Sequence, residues 1–320
     1  MISINEKMLS DSCTLAGGGA ADTARMQPPH PDIRRLGTTR DQLGESPCWD
    51  AEAQALCWID ALVGTVHRLV PATGMLASHA LPAPLGAIAP AQGDAVVVAL
   101  RHGFGRYDFG TRQMTMLGDI GLSDVDVRLN DGKCDAAGNF VAGTMHMNRP
   151  EGASVRGGLY RLRPEGRVEQ LADDIGFANG PCFSPDGRTL YVADSLARVI
   201  WAYDYDPQGP LANKRCFVET HGFDSGPDGA TVDAEGFVWS VLVRAAQLAR
   251  FSPDGMLERC VPLPLTYPTS LCFGGPGYAQ LYVTSISRSA RLEGPLPQDG
   301  GLFVVDGLPA VGLPTRRFGG

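Results

Sequence analysis

The sequence predicts an all-β fold: a six-bladed β-propeller with four-stranded antiparallel blades around a central channel. Three observations predict it. Helical periodicity is nearly absent, while short apolar runs of strand length recur between turn residues. Gly (40) and Pro (24) are spread along all 320 residues, which suits many tight turns rather than a linker. A larger unit also repeats. It has a polar start, an Asp-x-x-Gly or Pro-Asp-Gly turn, an apolar strand ending in a small polar residue, and a strand meeting a second turn. It begins at Gly44, Gly86, Asn130, Asn179, Asp228 and Pro268, so successive starts lie 42, 44, 49, 49 and 40 residues apart. A period of roughly 40–50 residues is that of a propeller blade.

Taken in order, residues 1–35 read as a flexible N-terminal tail and residues 36–320 as a single propeller domain. The tail carries Gly17-Gly18-Gly19 and Pro28-Pro29 and lacks a secretory apolar core. The stretch from Ile33 to Leu43 is placed to supply a strand that closes the ring with the last blade. Strand runs then follow at Ala55–Ile59, Ala95–Leu100, Thr189–Ala193, Phe237–Val243 and Gln280–Thr284. Each is β-branched or aromatic and flanked by Gly, Pro or Asp. One blade cannot bury both of its faces, whereas blades packed around an axis can, and closure protects their edges.

Composition narrows the function. A net charge of −8 argues against a nucleic-acid partner. No stretch approaches the ~18–20 apolar residues of a membrane span. The eight cysteines contain no Cys-x-x-Cys pair, and most sit in apolar runs, where a free thiol acts as a small hydrophobe. Reduced thiols and a cytoplasmic location are the expectation. Nothing in the chain fixes the oligomeric state, so monomer and homodimer both stand.

The most informative stretch is Val127-Arg128-Leu129-Asn130-Asp131-Gly132-Lys133-Cys134-Asp135. Arg128 and Asn130 lie two apart, so in extended backbone they share a side. Asp131-Gly132 reads as a turn dipeptide, as does the step from Asp135 to Gly138. A charged fork and an amide thus stand where a strand enters the body of the protein, suited to holding a polar small molecule. Strand starts in a propeller face the axis, so those of different blades converge. Glu45, Asn179 and Asp228 then offer three oxygen ligands, two anionic and one neutral. That set suits one hard divalent cation, Ca²⁺, Mg²⁺ or Mn²⁺, and less obviously Zn²⁺. Pro185-Asp186-Gly187 and Pro253-Asp254-Gly255 are assigned to outer turns. Gly-x-Ser-x-Gly, Walker and Gly-x-Gly-x-x-Gly motifs are absent, and the six histidines show no metal-ligand spacing. His146 stands out only for lying close to the central stretch.

Several of these motifs together resemble the SMP-30/gluconolactonase/luciferin-regenerating-enzyme family. They are Gly44-Glu45-Ser46-Pro47-Cys48-Trp49, Arg128-Leu129-Asn130-Asp131-Gly132-Lys133-Cys134-Asp135, Gly143-Thr144-Met145, Asn179-Gly180, Pro227-Asp228-Gly229-Ala230-Thr231-Val232-Asp233 and Pro268-Thr269-Ser270 with Leu281-Tyr282-Val283-Thr284-Ser285. The resemblance runs from about Leu43 to about Gly307. It implies a metal-dependent lactonase that hydrolyses a gluconolactone-like sugar lactone to the aldonic acid. It further implies Glu45, Asn179 and Asp228 as metal ligands, Asp228 also as general base, and Arg128 and Asn130 as substrate-binding residues. Asn148 stands where some members carry a substrate-binding Glu. That difference keeps a lactonase or esterase acting on a non-sugar ring in view, beside a non-catalytic calcium-binding propeller.

Overall fold

The computed structural model describes residues 31–122, 124–147 and 157–320. Six four-stranded antiparallel sheets account for their strands, and each sheet is one blade of a propeller. From the axis outward, blade 1 is β2 (Gly44–Asp50), β3 (Ala55–Asp60), β4 (Thr65–Val70) and β5 (Met75–Ala80). Blade 2 is β6 (Ala87–Ala91), β7 (Ala95–Ala99), β8 (Gly103–Asp108) and β9 (Gln113–Asp119). Blade 3 is β10 (Val127–Cys134), β11 (Phe140–His146), β12 (Leu159–Leu162) and β13 (Val168–Ala172). Blade 4 is β14 (Ala178–Phe183), β15 (Thr189–Asp194), β16 (Val199–Asp204) and β17 (Ala212–Glu219). Blade 5 is β18 (Pro227–Val232), β19 (Val238–Leu242), β20 (Gln247–Phe251) and β21 (Leu257–Pro262).

Blade 6 mixes the two ends of the domain. It runs β22 (Pro268–Gly274), β23 (Gln280–Ser285), β24 (Leu302–Asp306) and then β1 (Asp32–Leu36), the first strand of the ring. β1 pairs with β24 from Asp32 opposite Asp306 to Leu36 opposite Leu302. The closing strand expected from Ile33 onward is therefore present. The domain boundary drawn at residue 36 is corrected, because it would cut this strand away from its partner. Among the described residues no helix is long and apolar enough to cross a membrane.

The core sits between the blades. In β7 the alternate residues Val96 and Val98 pack toward blade 1, with Cys57, Ile59 and Val66. Ala95, Val97 and Ala99 pack the other way, against Leu129, Phe140 and Ala142 of blade 3. A strand buried on both faces needs an unbroken apolar run, which is why Ala95–Ala99 does not alternate with polar residues. Each fully buried valine there contributes about 1.5–3 kcal/mol. The interface between blades 6 and 1 is aromatic: Trp49 stacks on Tyr282 at 6.0 Å between ring centroids.

The turns at Asp135 and Asp233 follow the Asp-x-x-Gly expectation, and Asp50 makes a similar turn with Ala53 in the glycine's place. Asp50, Asp135 and Asp233 each follow or end an innermost strand and accept backbone N–H groups two to four residues on through one carboxylate oxygen. Pro253-Asp254-Gly255 joins the two outer strands of blade 5 as expected. Pro185-Asp186-Gly187 joins β14 to β15, the two inner strands of blade 4, so its assignment to an outer turn is corrected.

Candidate functional site

A shared irregularity of the innermost strands positions the polar residues. β2, β10, β14, β18 and β22 each break register against the next strand by one extra residue: between Glu45 and Cys48, Leu129 and Gly132, Asn179 and Cys182, Pro227 and Ala230, and Pro268 and Leu271. Such a β-bulge re-aims side chains that a regular strand would hold against its neighbours. Glu45 and Asn179 are the last laddered residues before their bulges, while Asn130 and Asp228 are the first residues inside theirs. The four are thus one position out of step in pairs. The sequence reading placed Asp131-Gly132 in a tight turn, and this too is corrected: both lie inside β10, at its bulge, and the turn comes at Asp135–Gly138.

The bulges bring blades into contact by polar groups. Asn130 Nδ2 donates to Ala178 O (3.0 Å) and to Asn179 Oδ1 (2.6 Å), joining blade 3 to blade 4. Asp131 accepts from the Gly132 amide (2.8 Å) and from the Gly180 amide (2.9 Å). Lys133 Nζ donates to Ala230 O (2.8 Å), reaching blade 5. Asn179 Nδ2 donates to Ser195 Oγ (2.9 Å), whose own hydroxyl donates to Pro227 O (2.6 Å). On the other side, Thr269 Oγ1 donates to Gly44 O and fixes the start of the Glu45 strand. Gly180 is required: its φ is +49°, and a Cβ there would stand 2.6 Å from Ala230 N and 2.7 Å from Asp228 O.

The acidic residues lie close enough to feel one another's charge. Burial is the largest effect on Glu45 and holds its carboxyl well above the usual carboxylate range. The charges of Asp228 and Asp131 add to this, while Arg128 and the Ser46 amide oppose it. Asp228 is raised well above its ordinary value in the same way, by burial and then Asp131, against the Gly229 amide and Arg128. Asp131 is raised by burial and held down by Lys133 and the two amides. Burial lowers Arg128 to about 10, with Glu45 and Asp228 pulling it back up. Arg128 is buried, and its Nη1 donates to Leu129 O at 2.8 Å. Asp131 is buried while Glu45 and Asp228 are half-buried; carboxylates gathered and held above their natural pKa in this way favour an added positive charge.

This has a consequence for stability. In the cation-free protein Glu45 and Asp228 keep their protons to higher pH than in the unfolded chain. Their stabilising contribution is full below the ordinary carboxylate pKa, about 4, and is lost as pH rises through the raised values. Thermal melts of EDTA-treated protein from pH 4 upward should show wild type losing stability relative to a Glu45→Gln/Asp228→Asn variant. A pH-independent difference would contradict the assignment.

The structure therefore brings Glu45, Asn130, Arg128, Asn179 and Asp228 to one region of the bore. Asn148 lies outside the described residues. Asp131, Lys133 and Ser195 join the site without having been singled out as site residues. Asp131 was hidden by its turn-like dipeptide, and Ser195 has no pattern of its own beyond following the β15 run. A cavity of about 220 Å³ is lined by Ser46, Cys48, Asp131, Lys133, Cys182 and Cys272 among others; it meets the site only at Asp131 and Lys133, and Glu45, Arg128, Asn130, Asn179 and Asp228 do not line it. Burial pushes the Cys182 and Cys272 thiols up to about 12. The C-terminal residues Leu313–Arg316 also line this cavity, and Phe318 and Gly319 are held beyond it by Pro90 O and Gly138 O. A second donor group lies where β10 begins and β11 ends. Ligand atoms of Asp124, Asp126 and His146 lie within 4.8 Å of one another.

Comparison with known proteins agrees with this architecture. Residues 43–287 match the SMP-30/gluconolactonase/LRE-like region. Regucalcin of Gallus gallus is 34% identical over 294 residues, covering 90% of this chain and 98% of the relative. A 6-deoxy-6-sulfogluconolactonase of Pseudomonas putida is 34% identical over 264 residues, covering 82% and 90%. Among solved structures, a calcium-binding protein, regucalcin, from Agrobacterium tumefaciens superposes with a TM-score of 0.82 at 27% identity, covering 90% of this chain and 97% of that one. With a sheet order of six closed blades, polar residues gathered at the bulges of the inner strands, and a family match across most of its length, this chain belongs to the SMP-30/gluconolactonase/LRE-like family.

Proposed function

We propose that this protein is a metal-dependent lactonase that opens a sugar lactone of the gluconolactone type to the aldonic acid. What supports the reading is that Glu45 feels the charges of Asp228 and the buried Arg128, while the Asn179 amide is tied to Asn130 and, through Ser195, to Pro227 beside Asp228. The donor set fits a hard divalent cation. It has two anionic oxygens and a neutral one, and both carboxylates are disfavoured as anions until a positive charge joins them. Asn179 Oδ1 accepts one hydrogen bond from Asn130 and keeps a second lone pair for the cation. The names of the family and of the Pseudomonas putida relative support lactone chemistry.

A divalent cation bound by Glu45, Asn179 and Asp228 would polarise the lactone carbonyl and stabilise the charge that develops on its oxygen. Asp228 then takes the proton of the attacking water, acting as general base. Arg128 holds ring or hydroxyl oxygens with the N–H groups left after its bond to Leu129 O. Asn130 has both amide hydrogens committed to Ala178 O and Asn179 Oδ1, so it meets substrate through its Oδ1, as an acceptor for a sugar hydroxyl. An acceptor at that place favours a hydroxylated ring over a bare one. Cytoplasmic action on a small soluble lactone fits this reading.

Acid release from glucono-, xylono- and unsubstituted lactones, each with EDTA or with Ca²⁺, Mg²⁺, Mn²⁺ or Zn²⁺, tests it. We expect turnover of the hydroxylated lactones, abolished by EDTA and restored by at least one cation. Cation binding without turnover of any lactone would instead support a non-catalytic calcium-binding propeller. Preference for the unsubstituted ring would move the substrate out of the sugars.

A further inference from the structure

We infer that Ser195 is a positioning residue that orients the Asn179 amide with its oxygen toward the cation site; this rests on the metal-dependent reading above. A carboxamide is a poor ligand unless its oxygen, rather than its NH₂, faces the ion. Nothing in Asn179 itself decides which way round it sits. Two neighbours decide it.

Ser195 follows directly on β15, and its backbone is tied down, with Ser195 N donating to Phe177 O at 3.1 Å. Its hydroxyl has one hydrogen, and that hydrogen is committed to Pro227 O at 2.6 Å. Toward Asn179 the hydroxyl can therefore only accept. The group it meets at 2.9 Å is Asn179 Nδ2, a donor. Turning the amide over would set the Asn179 oxygen against a hydroxyl oxygen with no hydrogen to spare. On the other side Asn130 Nδ2 donates to Asn179 Oδ1, which only the observed orientation accepts. Pro227 precedes Asp228, so the same hydroxyl links the amide of blade 4 to the strand carrying the carboxylate of blade 5. The segment is packed close enough that a Cβ at Gly226 would stand 2.8 Å from Ser195 O. The link is thus a short bridge between two innermost strands.

Groups that hold a metal's ligands commonly contribute 10–100-fold to metal affinity or activity. The full chain, stripped with EDTA and dialysed, is titrated with Mn²⁺ by calorimetry as wild type, Ser195→Ala and Ser195→Thr. Ser195→Ala should weaken Mn²⁺ binding about 10–100-fold while the metal-free melting temperature stays close to that of wild type. Ser195→Thr, which keeps the hydroxyl, should bind within a few-fold of wild type. Equal Mn²⁺ affinity for wild type and Ser195→Ala overturns the role of Ser195 alone. So does a Ser195→Thr variant as weak as Ser195→Ala, or a loss of affinity matched by a collapse of metal-free stability. Wild type that takes up no Mn²⁺ overturns this role and the metal-dependent reading together.

Discussion

Asp228→Asn should lower kcat by about 10³-fold or more while the protein stays folded. General-base catalysis by one positioned group is worth roughly 10²–10⁴, and the same substitution removes one of two anionic oxygens from the cation site. The side chain keeps its size, so the bulge of β18 and the ladder from Pro227 to Val232 have no reason to shift. The carboxylate it replaces is itself unfavourable in the cation-free protein, raised by burial and by Asp131. Removing that charge should leave the cation-free melting temperature equal to or above that of wild type. Measured together, a large loss of rate with no loss of stability identifies a chemical role. A variant keeping more than about a tenth of the rate would show that another group takes the proton.

Deleting residues up to and including Leu36 should have the largest effect on stability. The deletion strips β1 from β24 and leaves blade 6 with three strands. β24 carries Phe303, Val304 and Val305, all buried, and its outer edge would become an unpaired apolar strand. We expect a melting temperature lower by about 10 °C or more, since each kcal/mol moves a domain above 150 residues by roughly 2–4 °C, with aggregation alongside. Deleting only residues 1–30 should leave the melting temperature within about 2 °C, on the same scale. Equal behaviour of the two truncations would contradict a ring closed by β1.

The blades were legible in the sequence because their core is made of local patterns. Ala95–Leu100 and Gln280–Thr284 read as strands, and the spacing of polar starts gave the number of blades. The polar convergence was legible only as residue types, since Glu45, Asn179 and Asp228 are far apart along the chain. The bulges were not legible. A one-residue register slip depends on how two strands pair, and neither Leu129–Gly132 nor Asn179–Cys182 announces it in one dimension. That is why Asp131-Gly132 looked like a turn and is instead a buried carboxylate and a strand glycine. Ser195 was missed because its part depends on Pro227 O in the next blade. The position of β1 was half legible: its strand character showed at Ile33, but its partner lies more than 260 residues on, at β24.

The most direct test is a crystal of the protein grown or soaked with Mn²⁺ and measured for anomalous scattering. The account predicts one strong peak in the bore, within ~2.3 Å of oxygens from Glu45, Asn179 and Asp228. A peak confined to Asp124, Asp126 and His146, or no peak with any of the three bore residues in contact, would contradict it.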